Sequence, residues 1–121
     1  MEDSGEREVF ATGAVRDTAE GKPAIHLISP FALIRLGNWL AEGAKKYDSR
    51  NWEQGMSFQR VTSSLCRHLE EWKAGYIKED HLAAIMCNAM FLIHYQTMVD
   101  NGCLPETLND MPIYKKLGEK K

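Results

Sequence analysis

The chain has 121 residues, 44% of them hydrophobic, and a formal net charge of −2. This length suits one domain with a single core. The chain lacks the basic excess of proteins that bind bulk DNA or RNA, although a few local cations suffice for one nucleotide. The acidic N-terminus has no signal-peptide core, and the longest apolar stretch, residues 82–93, is too short to span a bilayer. We therefore expect a cytoplasmic protein with no membrane partner, whose three cysteines are reduced thiols.

The first third of the chain predicts an arm followed by a helix. Residues 1–12 are polar and predict a flexible arm, and residues 13–29 show no helical period but contain a short extended run at 24–28. Ser29 and Pro30 form a helix-start signal, with Ser as N-cap and Pro at the first position. Apolar residues spaced three or four apart then predict an amphipathic helix to about Lys46.

Two further helices are predicted in the rest of the chain. The second starts after Ser57, a plausible N-cap, and stops at Gly75. The third starts near Asp80 and runs to about Asp100. It is apolar almost all round, and two other helices hardly supply enough cover, so we expect a homo-oligomer. The fold class predicted is all-α, with three principal helices in a domain at 13–114, an irregular N-terminal arm and a disordered tail at 115–121.

Two polar clusters are predicted to meet where the second and third helices join. His81, Asn88 and Tyr95 are seven residues apart and therefore share one stripe of the third helix. The second helix ends in a charged group made of Arg67, His68, Glu70 and Glu71. A short turn should make these helices antiparallel neighbours, which brings both clusters together. A structural polar seam and a solvated, salt-bridged helix end remain open as alternatives.

Carboxylates in these clusters predict a metal site. Glu70, Glu71 and Asp80 could supply oxygen atoms to a hard cation such as Mg²⁺, which commonly binds one or two carboxylates together with substrate phosphates. Asp80 could equally be a helix-start charge without any ligand. The spacing fits no structural zinc site.

A basic and aromatic loop follows the first predicted helix. Ammonium and guanidinium groups suit phosphates, and aromatic faces suit a base. The loop residues with these properties, together with a neighbouring amide, are Lys45, Lys46, Tyr47, Arg50, Asn51 and Trp52. A weaker signal comes from Arg16 and Lys22, which could form a phosphate-contacting arm but lack the glycine spacing of a Walker A motif.

Five blocks in fixed order resemble the small phage proteins called dATP/dGTP diphosphohydrolases. They are TGAVRD with GKP at 12–23, GAKKY with RNW and a glycine at 43–55, RHL at 67–69, EDHLAA with an asparagine at 79–88, and LNDMP with a tyrosine at 108–114. The resemblance implies a relationship to the MazG-type all-α pyrophosphohydrolases, which cut a nucleoside triphosphate to monophosphate and pyrophosphate with Mg²⁺. MazG-type helices carry Glu-x-x-Glu and Glu-x-x-Asp, whereas this chain has His68 before Glu71 and alanines at 83 and 84.

The resemblance and the residues together favour a Mg²⁺-dependent purine (d)NTP diphosphohydrolase, in the host cytoplasm if the chain is phage-encoded. Glu71 and Asp80 are the predicted catalytic residues, and Glu70 joins them as a metal ligand. A non-catalytic protein that sequesters a nucleotide immune signal is the main alternative, and a helical scaffold is a third. The predicted nucleotide-binding residues are Arg16, Lys22, Lys45, Lys46, Tyr47, Arg50, Asn51, Trp52, Arg67, His68, His81 and Asn88.

Overall fold

The computed structural model describes residues 5–114, which form three helices and a small two-stranded sheet. The helices are α1 (Pro30–Lys46), α2 (Phe58–Lys73) and α3 (His81–Asp100). The strands β1 (Arg7–Val9) and β2 (Val15–Asp17) pair in antiparallel fashion. Short 3₁₀ turns at Ile25–Leu27, Asn51–Gln54 and Glu106–Leu108 complete the described elements. The predicted disordered tail, 115–121, lies outside the described residues, as do residues 1–4 of the predicted arm.

The prediction of an irregular N-terminal arm is wrong for the described residues, because β1 and β2 form a hairpin. Its turn is closed by the Gly13 N–H, which donates to the Phe10 carbonyl at 2.8 Å. Gly13 has φ +89°, which a residue with a side chain rarely adopts. The hairpin spans the predicted boundary at residue 12, while the flexibility of the arm stays a prediction. The run at 24–28 was also predicted wrongly as extended, since it holds a 3₁₀ turn.

The predicted helix starts are confirmed by their caps. Ser29 accepts a hydrogen bond from the Ala32 N–H at 3.2 Å, and Ser57 accepts one from Arg60 at the same distance. Asp80 does the same for α3, where it accepts from the Ala83 N–H at 3.2 Å. These side chains satisfy backbone donors that lack a partner within the first turn. The predicted bounds of the three helices therefore agree with the observed ones to within about two residues.

Helices α2 and α3 lie antiparallel, as predicted. Phe58 at the start of α2 stacks near Tyr95 late in α3, with ring centroids 6.3 Å apart. His68 at the end of α2 reaches His81 at the start of α3. One cluster of the buried core, Phe58, Val61 and Tyr95, lies at one end of this pair, while Ala83, Ala84 and Cys87 are buried nearer the start of α3. The two polar clusters therefore meet at the opposite end.

The outer face of α3 stays partly uncovered in the single chain. Ile93 is 67% exposed, and it lines an apolar groove with Leu36, Met86 and Met90. By length and composition alone α3 could cross a membrane, a property that core helices share. The polar stripe of α3 nevertheless faces the interior of the chain, because His81, Asn88 and Tyr95 are all buried. Helices α1 and α2 therefore do not cover α3 on all sides.

A segment after α3 returns to the start of α2. Leu104 and Leu108 pack against the core. Asp110 accepts hydrogen bonds from the Ser57 hydroxyl at 2.6 Å and from the Gln59 N–H at 2.9 Å. These donors hold the pKa of the Asp110 carboxyl below its usual value. The segment at 104–110, which we call the C-terminal strap, therefore closes the core end of the helix pair.

Candidate functional site

Four side chains converge where α2 and α3 meet. His68 and Glu71, three residues apart, share one face of α2, and the turn through Gly75 brings Glu79 and His81 opposite them. One ligand atom from each of the four lies within 4.8 Å of the others. The two Nδ1 atoms of the histidines are 2.9 Å apart, and the Nδ1 of His81 is 3.5 Å from Glu71 Oε1. We call these four residues the His/Glu group; both imidazoles in it are buried.

Arg67 contacts two members of the His/Glu group from the solvent side. Its guanidinium lies 3.2 Å from His68 Nε2 and donates to Glu71 Oε1 at 2.9 Å. A guanidinium has no acceptor, so His68 Nε2 must accept. Burial, followed by the charge of Arg67, lowers the pKa of His68. The neutral imidazole then carries its proton on Nδ1, facing His81.

The predicted carboxylate ligands are not gathered in one place. Asp80 is held by Arg35, whose Nε and Nη2 donate to it at 2.8 and 2.5 Å, and this pair lowers the pKa of Asp80. Glu70 is 3.1 Å from Lys73 and its side chain is 67% exposed. Only Glu71 of the predicted triad belongs to the His/Glu group. Two imidazoles with two carboxylates do not fit Mg²⁺, which prefers oxygen ligands throughout.

A cleft of about 510 Å³ opens beside the His/Glu group. It runs along the C-terminal half of α1 and the turn before α3, and Glu79 belongs to both features. Its charged lining residues are three cations and three carboxylates: Arg35, Lys46, Lys78, Glu42, Glu79 and Asp80. We call it the charged cleft. Because these charges cancel, the cleft alone offers little net attraction to a polyanion.

A second space of about 410 Å³ adjoins the charged cleft. We call it the aromatic pocket, since Trp39, Tyr47, Trp52 and Phe91 line it. Trp39, Gly43 and Tyr47 also line the charged cleft, so the two spaces share a wall. The pocket has polar edges from the loop after α1, including Asn51. An apolar space joined to a charged one is the arrangement that a nucleotide needs.

Trp52 is held in the pocket wall by α3. It stacks on Phe91 with ring centroids 4.9 Å apart, and its carbonyl accepts from the Tyr95 hydroxyl at 2.5 Å. Burial raises the pKa of Tyr95 to about 12, and it raises the pKa of Cys87, which lines the pocket, to about 11. Packing therefore explains one of the two aromatic residues of the loop. The other, Tyr47, is 63% exposed at the shared wall.

Other residues predicted to bind nucleotide lie in varied settings. Among the loop cations, Lys46 lines the charged cleft, Lys45 pairs with Glu42 at 3.0 Å, and Arg50 pairs with Glu53. Neither Arg16 nor Lys22 lines the cleft or the pocket; Arg16 lies opposite Glu8 in the hairpin and Lys22 pairs with Asp17 at 2.9 Å.

Asn88 is hydrogen-bonded inside the helix pair. Its amide donates to the Ala84 carbonyl at 2.9 Å and lies 3.4 Å from the Ser64 hydroxyl. A buried amide in a helix pair needs such partners. Asn88 thus helps to hold α2 against α3 beneath the His/Glu group.

Sequence reasoning missed several residues that line the charged cleft, among them Arg35, Trp39, Lys78 and Glu79. A signal for the first two was present. Arg35, Trp39, Glu42 and Lys46 are spaced four, three and four apart, which places them on one face of α1. That face is polar and aromatic, and it lines the charged cleft.

One known protein family matches most of the chain. A family model described as dATP/dGTP diphosphohydrolase, N-terminal, matches residues 12–101. No curated protein and no solved structure matches the chain. The matched residues include α1, α2, α3, the His/Glu group and both spaces. The family suggested by the five sequence blocks is therefore confirmed, and the chain belongs to the dATP/dGTP diphosphohydrolase family, of which it carries the N-terminal domain.

Proposed function

We propose that the chain hydrolyses dATP or dGTP to the monophosphate and pyrophosphate. In this reaction water adds across the bond between the α- and β-phosphates, and the proton released goes to solvent. The family name supports the reaction and its purine substrates. The observation that carries the proposal is the wall shared by the charged cleft and the aromatic pocket. One molecule could place its phosphates in the cleft and its base in the pocket.

The phosphate end would be held by the cations of the charged cleft. Lys46 lies at the end of α1 and Lys78 in the turn before α3, so they face the cleft from two elements. Arg35 is already engaged by Asp80. A triphosphate carries several negative charges, while the charged lining residues sum to zero. A bound divalent cation would therefore be required for tight binding and turnover.

The base end would be held by stacking. A purine presents a flat face, and aromatic side chains bind such faces with little sequence or ring preference. One face of Trp52 is covered by Phe91. Tyr47, exposed at the shared wall, is therefore the better placed ring to close over a bound base. This arrangement assigns Tyr47 to the base and Lys46 to the phosphates.

Sequestration of a nucleotide immune signal without turnover is the second candidate. It is favoured by the arginines that already neutralise the carboxylates, since Arg67 contacts Glu71 and Arg35 contacts Asp80. A protein that only binds would need the cleft and pocket but no activated water. We place either function in the cytoplasm, which for a phage protein is that of the host.

Recovery of nucleotide after denaturation distinguishes the two candidates. The protein is incubated with dATP, dGTP or a cyclic dinucleotide, with and without a divalent cation, and then denatured for chromatography. Monophosphate and pyrophosphate in equal amounts would support hydrolysis. Unchanged nucleotide released only on denaturation would support sequestration and contradict hydrolysis.

A pair of lysine variants tests the placement of the phosphates. Lys46→Ala should weaken nucleotide binding about ten-fold or more, because a charge-assisted contact contributes roughly 1.5–3 kcal/mol. Lys73→Ala is the matched control, since Lys73 pairs with Glu70 and neither residue lines the charged cleft or the aromatic pocket. Calorimetry that gave equal affinities for the two variants would contradict the placement.

We also propose that the chain associates with copies of itself through the outer faces of α1 and α3. The groove lined by Leu36, Met86, Met90 and Ile93 is apolar and open, and Ile93 is 67% exposed. Contiguous apolar surface of this kind is uncommon on monomers and marks contact sites. A second copy would supply the cover that α3 lacks.

A further inference from the structure

The His/Glu group offers nitrogen as well as oxygen to a metal ion. One ring nitrogen from each of the two imidazoles and one oxygen from each of the two carboxylates lie within 4.8 Å of one another, and these residues come from α2, from α3 and from the turn between them. Imidazole ligands suit Zn²⁺, Co²⁺ and Ni²⁺, whereas Mg²⁺ keeps oxygen ligands and water. The donor set therefore selects against the ion that the sequence predicted.

The distances within the group suit a small tetrahedral ion. Ligand atoms about 2.0–2.1 Å from Zn²⁺ lie roughly 3.3 Å from each other in a tetrahedron. The Nδ1 atoms of His68 and His81 are 2.9 Å apart, and His81 Nδ1 is 3.5 Å from Glu71 Oε1. The third pair, His68 Nδ1 and Glu71 Oε1, is 4.0 Å apart and must close by roughly 0.7 Å for the three atoms to surround one centre. Glu79, whose side chain is exposed, can complete the set from the turn.

Arg67 competes with such an ion for two of its ligands. It contacts both His68 Nε2 and Glu71 Oε1. An ion on His68 Nδ1 would leave the ring proton on Nε2, which could then no longer accept from the guanidinium. The Arg67 side chain is 55% exposed and has room to turn into water. The guanidinium of Arg67 therefore occupies two of the ligands as a resident cation, and an incoming ion must displace it from His68 and Glu71.

We propose that His68, Glu71, Glu79 and His81 bind one divalent transition ion of the Zn²⁺, Co²⁺ and Ni²⁺ class in preference to Mg²⁺, and that Arg67 weakens this binding by competing for His68 and Glu71. The ion would lie at the edge of the charged cleft, which shares Glu79 with the group. It would supply the positive charge that the cleft lacks for a triphosphate. Only this role rests on the proposed function; the binding of the ion does not.

Metal binding can be measured on the full chain without nucleotide. After removal of metal with a chelator, Co²⁺ is titrated and followed by its visible absorption, and Zn²⁺ and Mg²⁺ are titrated by calorimetry. We expect one Co²⁺ or Zn²⁺ per chain, with Mg²⁺ at least a hundred-fold weaker. No transition-ion binding, or Mg²⁺ binding of equal strength, would overturn the proposal.

Variants of exposed side chains test the metal site without disturbing the fold, because these side chains are not part of the core. Glu79→Gln should weaken Co²⁺ binding about ten-fold or more, since it removes a charged ligand. Arg67→Met should strengthen it several-fold, and Arg60→Met, exposed on the same helix, should leave it unchanged. Equal affinities in all three variants would overturn the site. Tight Co²⁺ binding without dATP hydrolysis would contradict the proposed function alone.

Discussion

Gly43 lies in the wall shared by the charged cleft and the aromatic pocket, and it permits a test that separates folding from binding. It is a helical residue of α1, and a Cβ built on it would meet no atom within 4 Å. Glycine inside a helix costs roughly 0.5–1 kcal/mol relative to alanine. Gly43→Ala should therefore raise the free energy of unfolding by about 0.5–1 kcal/mol, or roughly 2–6 °C in melting temperature.

A larger side chain at the same position should block the site. Gly43→Leu keeps the helix propensity, but its branched side chain would project into the space that both the cleft and the pocket use. We expect this variant to remain folded and to lose nucleotide affinity about ten-fold or more, equivalent to about 1.4 kcal/mol. Gly43→Ala is the matched control and should bind within about two-fold of the unchanged chain.

Thermal unfolding and calorimetry with dATP and dGTP measure the two effects separately. The reasoning would be refuted if Gly43→Leu bound both nucleotides as tightly as Gly43→Ala while folded. A marked loss of stability in Gly43→Ala would also refute it, because the structure shows open space at the new methyl group.

Three further changes test features that support the site. Tyr95→Phe should cost about 1 kcal/mol of stability by thermal unfolding, because the Trp52 carbonyl loses the hydroxyl but keeps a backbone N–H partner. Met90→Asp should give monomers by light scattering, since it places a charge in the apolar groove. Asp80→Asn should retain the helix cap and any turnover while freeing Arg35, so that metal-free nucleotide binding becomes tighter in calorimetry.

Each of these has a result that contradicts it. Tyr76→Phe is the control for Tyr95→Phe: Tyr76 is 61% exposed, so losing its hydroxyl should leave the stability unchanged. If Tyr95→Phe also left the stability unchanged, the buried hydroxyl would contribute nothing to it. An unchanged Met90→Asp assembly would place any self-contact elsewhere. Turnover lost in Asp80→Asn would restore the metal-ligand role that the sequence predicted for Asp80.

The helices were predictable because their signals are local. Ser29, Ser57 and Asp80 cap their helices as the residue types and spacings indicated. The hairpin was missed because strands of three residues carry too little alternation to be recognised.

The candidate site was only half predictable, because its contacts are distant in sequence. His68, Glu71 and His81 were predicted to meet once an antiparallel helix pair was assumed, and they do. Arg35 lies 45 residues from Asp80, and no local pattern shows that it would take up that carboxylate. Glu79, one residue before the favoured Asp80, enters the group instead because Asp80 caps α3 and turns toward Arg35. Which of two adjacent carboxylates faces a site depends on tertiary contacts.

The C-terminal strap has a consequence for dissecting this protein. The family match ends at residue 101, yet Leu104 and Leu108 cover the core, and Leu108 lies where a side chain on Gly55 would stand. A fragment cut at the end of the match would uncover part of the cluster formed by Phe58, Val61 and Tyr95, and it would leave the Ser57 and Gln59 donors without Asp110. The smallest unit that keeps this core covered therefore ends beyond the matched residues, after the strap, and fusions or truncations should leave the strap in place.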